Sequence, residues 1–122
     1  MSEITLLDAV ESLKEKYHLN NYQWKKCVDF FSLIKQGDFI YPGHLKSILC
    51  IDIKSAYLFM EDLKKQGFVR NLYEVYCMNC NRSKGIFIDA LTDFDSDSAC
   101  DFCNKSLSPT EDIIVLYKVI HI

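Results

Sequence analysis

Four of the six cysteines in the 122-residue sequence stand in two pairs of identical spacing. Two residues separate Cys77 from Cys80, two separate Cys100 from Cys103, and residues 81–99 lie between the pairs. Two thiolates spaced in this way can point at one centre from a tight turn, and two such turns supply the ligands of a tetrahedral zinc site. The sequence therefore predicts that these four cysteines bind Zn²⁺. Unligated or disulfide-paired cysteines are the alternative.

The residue that follows each pair fits the same interpretation. Asn81 comes after Cys80, and Asn104 comes after Cys103. This position of a cysteine knuckle usually requires a positive φ, which Asn tolerates better than any residue except Gly. Because four cysteines leave no coordination position for water or substrate, we expect a structural zinc ion and no catalysis at it.

Other patterns of catalytic residues are absent from the sequence. The three histidines stand apart, without a Ser or Cys arrangement of catalytic type, and the four glycines form no phosphate-binding cluster. The chain is therefore predicted not to be an enzyme and to bind no small-molecule substrate. A zinc-dependent enzyme is the third alternative, because it would require one cysteine to leave the metal.

Composition indicates the class of protein. Hydrophobic residues make up 49% of the chain and charged residues 25%, which suits one folded core without disordered tails. The N-terminus lacks the basic segment of a secretory signal, and no stretch approaches the roughly 20 apolar residues of a membrane span. We therefore expect a cytoplasmic protein without membrane contact, where reduced thiols favour zinc over disulfides.

The net charge of -3 is unevenly distributed. Residues 1–70 carry ten Lys or Arg against nine Asp or Glu, whereas residues 71–122 carry four against eight. Four thiolates around one divalent ion add about two further negative charges to the second part. Because an acidic module repels a phosphate backbone, any nucleic acid is expected to contact residues 1–70.

Apolar residues recur at three- and four-residue spacing through the first half of the chain. The pattern predicts four helices, at about residues 4–17, 22–36, 42–49 and 53–66. Gly37 is expected to end the second helix and Gly67 the fourth. Cys27 and Cys50 fall among apolar positions, so each is predicted to be a buried small hydrophobe and neither a further ligand nor a reactive thiol.

From Asn71 onward the pattern changes to alternation between apolar and polar residues. It predicts three strands, near residues 72–76, 86–88 and 113–120. The apolar run at residues 113–117 fits a strand that either closes the sheet against the helices or lies in a subunit interface. The predicted fold class is α+β, with a helical region of residues 1–70 and a β-rich region of residues 71–122 packed as one compact unit.

The order of these elements resembles a winged helix-turn-helix. A helix, a short helix, a tight turn and a longer helix lead through Gly67-Phe68-Val69-Arg70 into a strand, over residues 21–76. The cysteine pairs then look like a zinc ribbon inserted where the wing hairpin would lie. This layout is similar to that of the general transcription factor E family, although the knuckles lack the common Cys-Pro-x-Cys-Gly form. The resemblance implies docking of nucleic acid or protein, with residues 53–66 as the recognition helix.

The outward side of the fourth helix is the first candidate binding surface. Its inward side is predicted to consist of Ile53, Ala56, Met60 and Leu63, together with Phe59. On the outward side, Lys54 and Lys65 could contact phosphates, and Ser55 and Tyr57 could contact base edges or sugars. The carboxylates at positions 61 and 62 lie in the same stretch and oppose DNA binding.

The acidic loop at residues 93–97 is the second candidate surface. Its three carboxylates are spaced two apart, which invites a calcium interpretation, but the turn glycine and the later Glu of an EF-hand loop are missing. We therefore expect a solvated loop that presents Phe94 as an exposed apolar contact for a protein partner. The alternative is that Phe94 packs back on the ribbon.

Together these patterns favour a non-catalytic adaptor that docks a protein partner through its acidic zinc ribbon and exposed aromatic residues. A complex related to transcription or to phage defence would be a fitting setting. The competing hypothesis is a sequence-specific DNA-binding regulator that uses residues 53–66 and forms a homodimer through the first helix or the last strand. The uneven charge favours the adaptor.

Overall fold

A computed structural model describes residues 4–122, and in this range the helices begin where the sequence supplies caps. Helices α1 (Leu6–Lys16) and α2 (Asn21–Ser32) each start with a capping box. In α1 the Thr5 hydroxyl accepts a hydrogen bond from the Asp8 N–H at 3.2 Å, and the Asp8 carboxylate accepts one from the Thr5 N–H at 3.0 Å. Asn20 begins the same arrangement in α2.

The next two helices also start and stop at recognisable residues. Helix α3 (Pro42–Leu49) begins with proline, whose fixed φ suits the first helical position, and it ends at Cys50, which has a φ of 52°. Helix α4 (Ile53–Lys65) follows after the Asp52 cap, whose carboxylate accepts a hydrogen bond from the Ser55 N–H at 2.7 Å. Among the helices of residues 4–122, none has the length and apolar character needed to cross a membrane.

The prediction that α2 continues to Gly37 is wrong, because the helix ends at Ser32. The N–H groups of Leu33 and Ile34 bond to carbonyls three residues earlier, which tightens the last turn and ends the helix. Gly37 has a φ of 96° and donates its N–H to the Val119 carbonyl at 2.8 Å. Its conformational freedom is therefore used where the chain enters a strand.

The strands found in residues 4–122 are β1 (Phe39–Ile40), β2 (Val69–Cys77), β3 (Arg82–Ile88) and β4 (Ile113–Val119). They form one sheet in the order β1, β4, β2, β3, in which β1 pairs antiparallel with β4 and β2 with β3. The predicted α+β class is confirmed. β1 has no counterpart among the predicted strands, because alternation cannot be detected over two residues. β4 lies between β1 and β2, and β1 pairs with Tyr117 and Lys118 of β4.

The chain divides into two compact units. The helical unit comprises the chain up to Arg70 together with Tyr117–Ile122, and the cysteine unit comprises Asn71–Leu116. β2 and β4 each contribute residues to both units. The C-terminal residues therefore belong with the helices, although they follow the β-rich segment in sequence.

Apolar side chains from all four helices fill the core of the helical unit. Val10, Leu45 and Leu49 are completely buried, and the rings of Phe59 and Phe31 stack with centroids 6.0 Å apart. Burying one such side chain stabilises the fold by about 1.5–3 kcal/mol. The buried face of α4 consists of Ala56, Phe59, Met60 and Leu63.

Ile53 departs from the predicted buried face of α4, since 44% of the residue is exposed. It is the first residue of the helix, directly after the Asp52 cap. Helical side chains point back toward the N-terminus of their helix. At the first residue, the side chain therefore extends past the end of α4 and into solvent. The expectation that Ile53 is buried is therefore wrong.

The carboxylates of α4 are partnered within the helical unit. The Tyr117 hydroxyl donates to Glu61 at 2.6 Å. Asp62 accepts hydrogen bonds from the Tyr17 hydroxyl at 2.6 Å and from the Lys16 ammonium at 2.8 Å. The Lys16 ammonium offsets the charge of Asp62, and the Lys64 ammonium lies 3.5 Å from Glu61. These ion pairs weaken one argument against DNA binding by α4.

We expect the Asp62 carboxylate to make stability depend on pH. Burial alone would raise the pKa of Asp62, but the hydrogen bonds from Lys16 and Tyr17 outweigh it and lower the pKa below its ordinary value. This stabilisation is present above the unfolded-state pKa of about 4 and is lost as pH falls through the folded-state pKa. Asp62→Asn should reduce the free energy of unfolding at pH 7 by about 1–2 kcal/mol. It should also flatten the loss of stability between about pH 5 and pH 3.

Urea unfolding followed by the fluorescence of Trp24 measures both effects, because this single Trp packs against the core of the helical unit. Asp29→Asn is the matched control, since Asp29 is an exposed carboxylate on α2. The control should follow the wild-type pH profile. An Asp62→Asn profile that is as steep as the wild type would contradict the assignment.

Candidate metal centre

Both cysteine pairs lie in tight turns that are closed by an asparagine in the left-handed region. β2 ends at Cys77, and the first turn passes through Cys80 to Asn81, which has a φ of 55°. The second turn starts at Cys100, whose carbonyl accepts a hydrogen bond from the Asn104 N–H at 3.0 Å. Asn104 has a φ of 62°. The positive φ predicted for both asparagines is confirmed.

The two turns bring four sulfur atoms together. The Sγ–Sγ distance is 3.6 Å between Cys77 and Cys103 and 3.3 Å between Cys80 and Cys100, and all four atoms lie within 4.8 Å of one another. All six cysteines fall within residues 4–122, and none forms a disulfide. A tetrahedral ion with metal–sulfur bonds of about 2.3 Å would hold its ligands about 3.8 Å apart. The predicted ligands therefore have the spacing needed to hold a metal ion.

Backbone N–H groups favour thiolates in the second turn. Hydrogen bonds from the N–H groups of Cys103 and Phe102 lower the pKa of Cys100 to about 6. The pKa of Cys103 is lowered chiefly by the N–H of Lys105. The hydrogen bond with Cys100 raises the pKa of Cys80 to about 12. Because cysteines bind metal as thiolates, affinity for a metal should rise with pH.

The carboxylate of Asp112 accepts hydrogen bonds that hold the turn of the first cysteine pair. Its Oδ1 accepts hydrogen bonds from the Met78 N–H at 3.2 Å and from the Lys105 ammonium at 3.1 Å, and its Oδ2 accepts one from the Ser108 N–H at 2.9 Å. The Asp112 side chain is fully buried. Burial alone would raise the pKa of Asp112, but these donors outweigh it and lower the pKa. The Asp112 carbonyl also accepts a hydrogen bond from the Tyr76 N–H at 2.9 Å.

A buried cluster of the cysteine unit is built around the sulfur atoms. It consists of Val75, Cys77, Cys100 and Leu107, with Cys80 and Phe94 packed against it. Phe94 is half-buried, so the prediction of an exposed apolar contact is wrong. Because the cluster contains few other large side chains, the Phe94 ring packs against it. Phe102 is instead 64% exposed, and the Arg82 guanidinium lies 4.1 Å from the centre of its ring.

The two remaining cysteines lie outside the cluster. Cys27 is completely buried, and burial raises its pKa to about 12, which confirms its prediction as a small hydrophobe. Cys50 is exposed, so the same prediction is wrong for this residue. It ends α3 in the left-handed conformation, and its Sγ lies 3.9 Å from the Ser47 carbonyl oxygen.

The candidate binding residues of α4 differ in their exposure. Lys54, Tyr57 and Lys65 are exposed, whereas Ser55 is half-buried and donates its N–H to the cap of the helix. Phe94, the other candidate, belongs to the cysteine unit. The binding role of all five residues stays a prediction.

The cysteine cluster stands apart from the other polar groups of residues 4–122. Within this range, no other group of three or more His, Cys, Asp or Glu side chains brings its ligand atoms together, and the acidic loop at residues 93–97 does not do so.

No protein-family model, curated protein or solved structure matches the chain. Function therefore has to be inferred from the side chains and their geometry.

Proposed function

We propose that the chain is a non-catalytic adaptor in which a winged-helix-like body carries a structural zinc ribbon and docks a protein partner. The observation that carries this proposal is the apolar outward face of α4. The exposed fractions are 44% for Ile53, 36% for Tyr57 and 48% for Leu58. Large exposed apolar groups on one helix are typical of a protein interface, because a partner can remove them from water.

The winged-helix part of the proposal is supported by the arrangement of α3, α4 and β2. A short turn at residues 50–52 joins the two helices, and Gly67, with a φ of 86°, follows α4 and leads into β2. The inserted cysteine segment lies between β2 and β4, where a wing hairpin would be expected. In this arrangement α4 is the recognition-type helix.

Zinc is the ion that four thiolates at this spacing favour. Soft sulfur ligands in a tetrahedral set select zinc or an iron–sulfur centre over hard cations. Four protein ligands complete the coordination, so the ion would fix the two turns in place and supply no catalytic function. Cys77 and Cys100 are buried, and they would carry the ion into the core of the cysteine unit. The cytoplasm, where thiols stay reduced, is the expected compartment.

DNA binding by α4 is the second candidate function. Lys54 and Lys65 are exposed on this helix, and Glu61 and Asp62 are partnered within the helical unit. Fewer negative charges therefore oppose a phosphate backbone than the sequence alone indicates. The exposed Ile53 and the rest of the apolar face argue against this function, because a DNA groove offers few apolar contacts for them.

Two variants of α4 separate these functions. We expect Leu58→Asp to reduce co-purification of the protein partner from the native host by about tenfold or more, because a charge buried in an apolar contact has no compensation. The double variant Lys54→Glu with Lys65→Glu should leave that co-purification within about twofold, since exposed charges contribute little. Quantitative mass spectrometry of the captured proteins, with parallel detection of nucleic acid, provides the measurement.

Leu33→Asp is the matched control, because Leu33 is 78% exposed and lies outside α4. It should capture the partner as the wild type does. If the charge reversal instead abolishes salt-sensitive binding to duplex DNA and Leu58→Asp leaves protein capture unchanged, the DNA-binding function is correct and the adaptor proposal is not.

A further inference from the structure

A groove of about 360 Å³ lies on the cysteine unit, between one face of β3 and the loop that leads to the second cysteine pair. Its floor is apolar. Ile86 and Ile88 occupy alternate positions of β3, so their side chains share one face of the strand, and Val75 of the neighbouring strand continues that floor. Ile86 is 42% exposed, so the floor contains apolar surface that a ligand could cover.

The rim of the groove is acidic. Asp93, Asp95 and Asp97 line it and are exposed. Within residues 4–122, no Lys or Arg forms an ion pair with any of these three carboxylates. Lys84 also lines the groove, but its ammonium is held by the Ala99 carbonyl at 2.8 Å and by another carboxylate of the lining at 3.0 Å. The groove therefore combines an apolar floor with uncompensated negative charge.

A metal ion does not account for this arrangement. Calcium requires six to eight converging oxygen ligands. The carboxylates of the loop do not converge on one point. Nucleic acid is repelled by the same charges. The complementary ligand is a polypeptide segment with basic residues around an aliphatic side chain.

We propose that this groove binds a basic, extended segment of a protein partner. One aliphatic side chain of the segment would cover Ile86 and Ile88, and Lys or Arg residues on either side would pair with Asp93 and Asp97. Burial of the aliphatic group supplies the attraction, and the charges set the preference for basic sequences and the rate of association. The inference rests on the proposed adaptor function, whose partner it describes by its chemistry.

The test uses the full-length, zinc-loaded protein and fluorescein-labelled pentapeptides, with binding measured by fluorescence anisotropy. The probe has two basic residues on each side of a central leucine. A second peptide replaces the leucine with serine, and a third replaces the basic residues with glutamate. We expect the leucine probe to bind more tightly than the serine peptide by roughly 10-fold, and the glutamate peptide not to bind.

Substitutions in the groove provide the second comparison. Asp93→Asn with Asp97→Asn should weaken binding of the leucine probe by roughly 2- to 30-fold, because each exposed pair contributes little. Ile86→Thr, which keeps a β-branched residue in the strand, should remove most of the difference between the leucine and serine peptides. Glu11→Gln with Glu15→Gln is the control for net charge, since both are exposed on α1, and it should bind as the wild type does.

Three results would overturn the proposal. The groove variants could bind the leucine probe as tightly as the wild type, the serine peptide could bind equally well, or Ca²⁺ at micromolar concentration could displace the probe and identify the loop as a cation site. Failure here is distinct from failure of the adaptor function. If the Asp93 and Asp97 variant still captures the partner in the co-purification experiment while Leu58→Asp does not, the adaptor function stands and this groove is not its binding site.

Discussion

Cys77→Ser should leave the purified protein without its metal ion and unfold the cysteine unit. The cluster around the sulfur atoms contains only Val75, Leu107 and Phe94 besides the cysteines themselves. Structural zinc contributes about 10–16 kcal/mol of apparent binding energy, which is also folding energy, and this is comparable to the whole stability of a small domain. Losing one ligand removes most of it, and the remaining apolar contacts are too few to replace it.

Metal content per chain, measured by inductively coupled plasma mass spectrometry, should fall from about one ion to nearly none. Hydrogen exchange should show loss of protection across residues 71–116. Cys50→Ser is the matched control, because Cys50 is an exposed thiol outside the cluster, and it should keep the wild-type metal content and protection. Trp24 fluorescence reports separately on the helical unit, whose core does not include the sulfur cluster. Full metal content and unchanged melting of Cys77→Ser would refute the assignment of the site.

Asp112→Asn should produce the second largest effect, a loss of about 3 kcal/mol in the free energy of unfolding of the cysteine unit. The substitution removes the negative charge that the Lys105 ammonium contacts. It also replaces one carboxylate oxygen with an NH₂ group, which cannot accept a hydrogen bond. One of the two hydrogen bonds, from the Met78 N–H or from the Ser108 N–H, is therefore lost. Because Met78 lies inside the first cysteine pair, the turn loses part of its support, and metal affinity should fall by roughly 10- to 100-fold.

Competition with a chromophoric chelator measures the metal affinity, and chemical unfolding of the metal-loaded protein measures the stability. Glu111→Gln is the matched control, because Glu111 is the exposed carboxylate next in sequence. It should change neither quantity. If Asp112→Asn also binds metal with wild-type affinity, the carboxylate supports only the nearby loop and has no influence on the metal centre.

The features that could be predicted from the sequence are those that depend on neighbouring residues. The cysteine spacing, the positive φ of Asn81 and Asn104, and the start of α3 at Pro42 are all set within a few residues of the chain. Such features depend on local chemistry and require no contact with distant residues. The same reasoning gave the apolar face of α4 except at its first residue, Ile53, where periodicity alone does not reveal where the core ends.

The features that could not be predicted depend on residues far apart in the chain. Asp112 contacts Met78, 34 residues away in sequence, and an acidic residue before an apolar strand carries no signal of that contact. The burial of Phe94 could not be predicted either, because an aromatic residue within an acidic loop can face a partner or pack on the core of its own unit. The partners of Asp62 come from α1, and no helical pattern identifies a pair of that kind. Such contacts are decided by tertiary packing.

The hydrogen bond between the Tyr76 N–H and the Asp112 carbonyl bears on how this segment could arise. It holds the two ends of the cysteine-bearing segment side by side, at the separation that a two-residue hairpin turn would also span. A segment whose ends meet in this way can be gained, lost or exchanged during evolution without displacing the strands that carry it. The cysteine-bearing segment can therefore change in length or sequence while the helices keep their own packing.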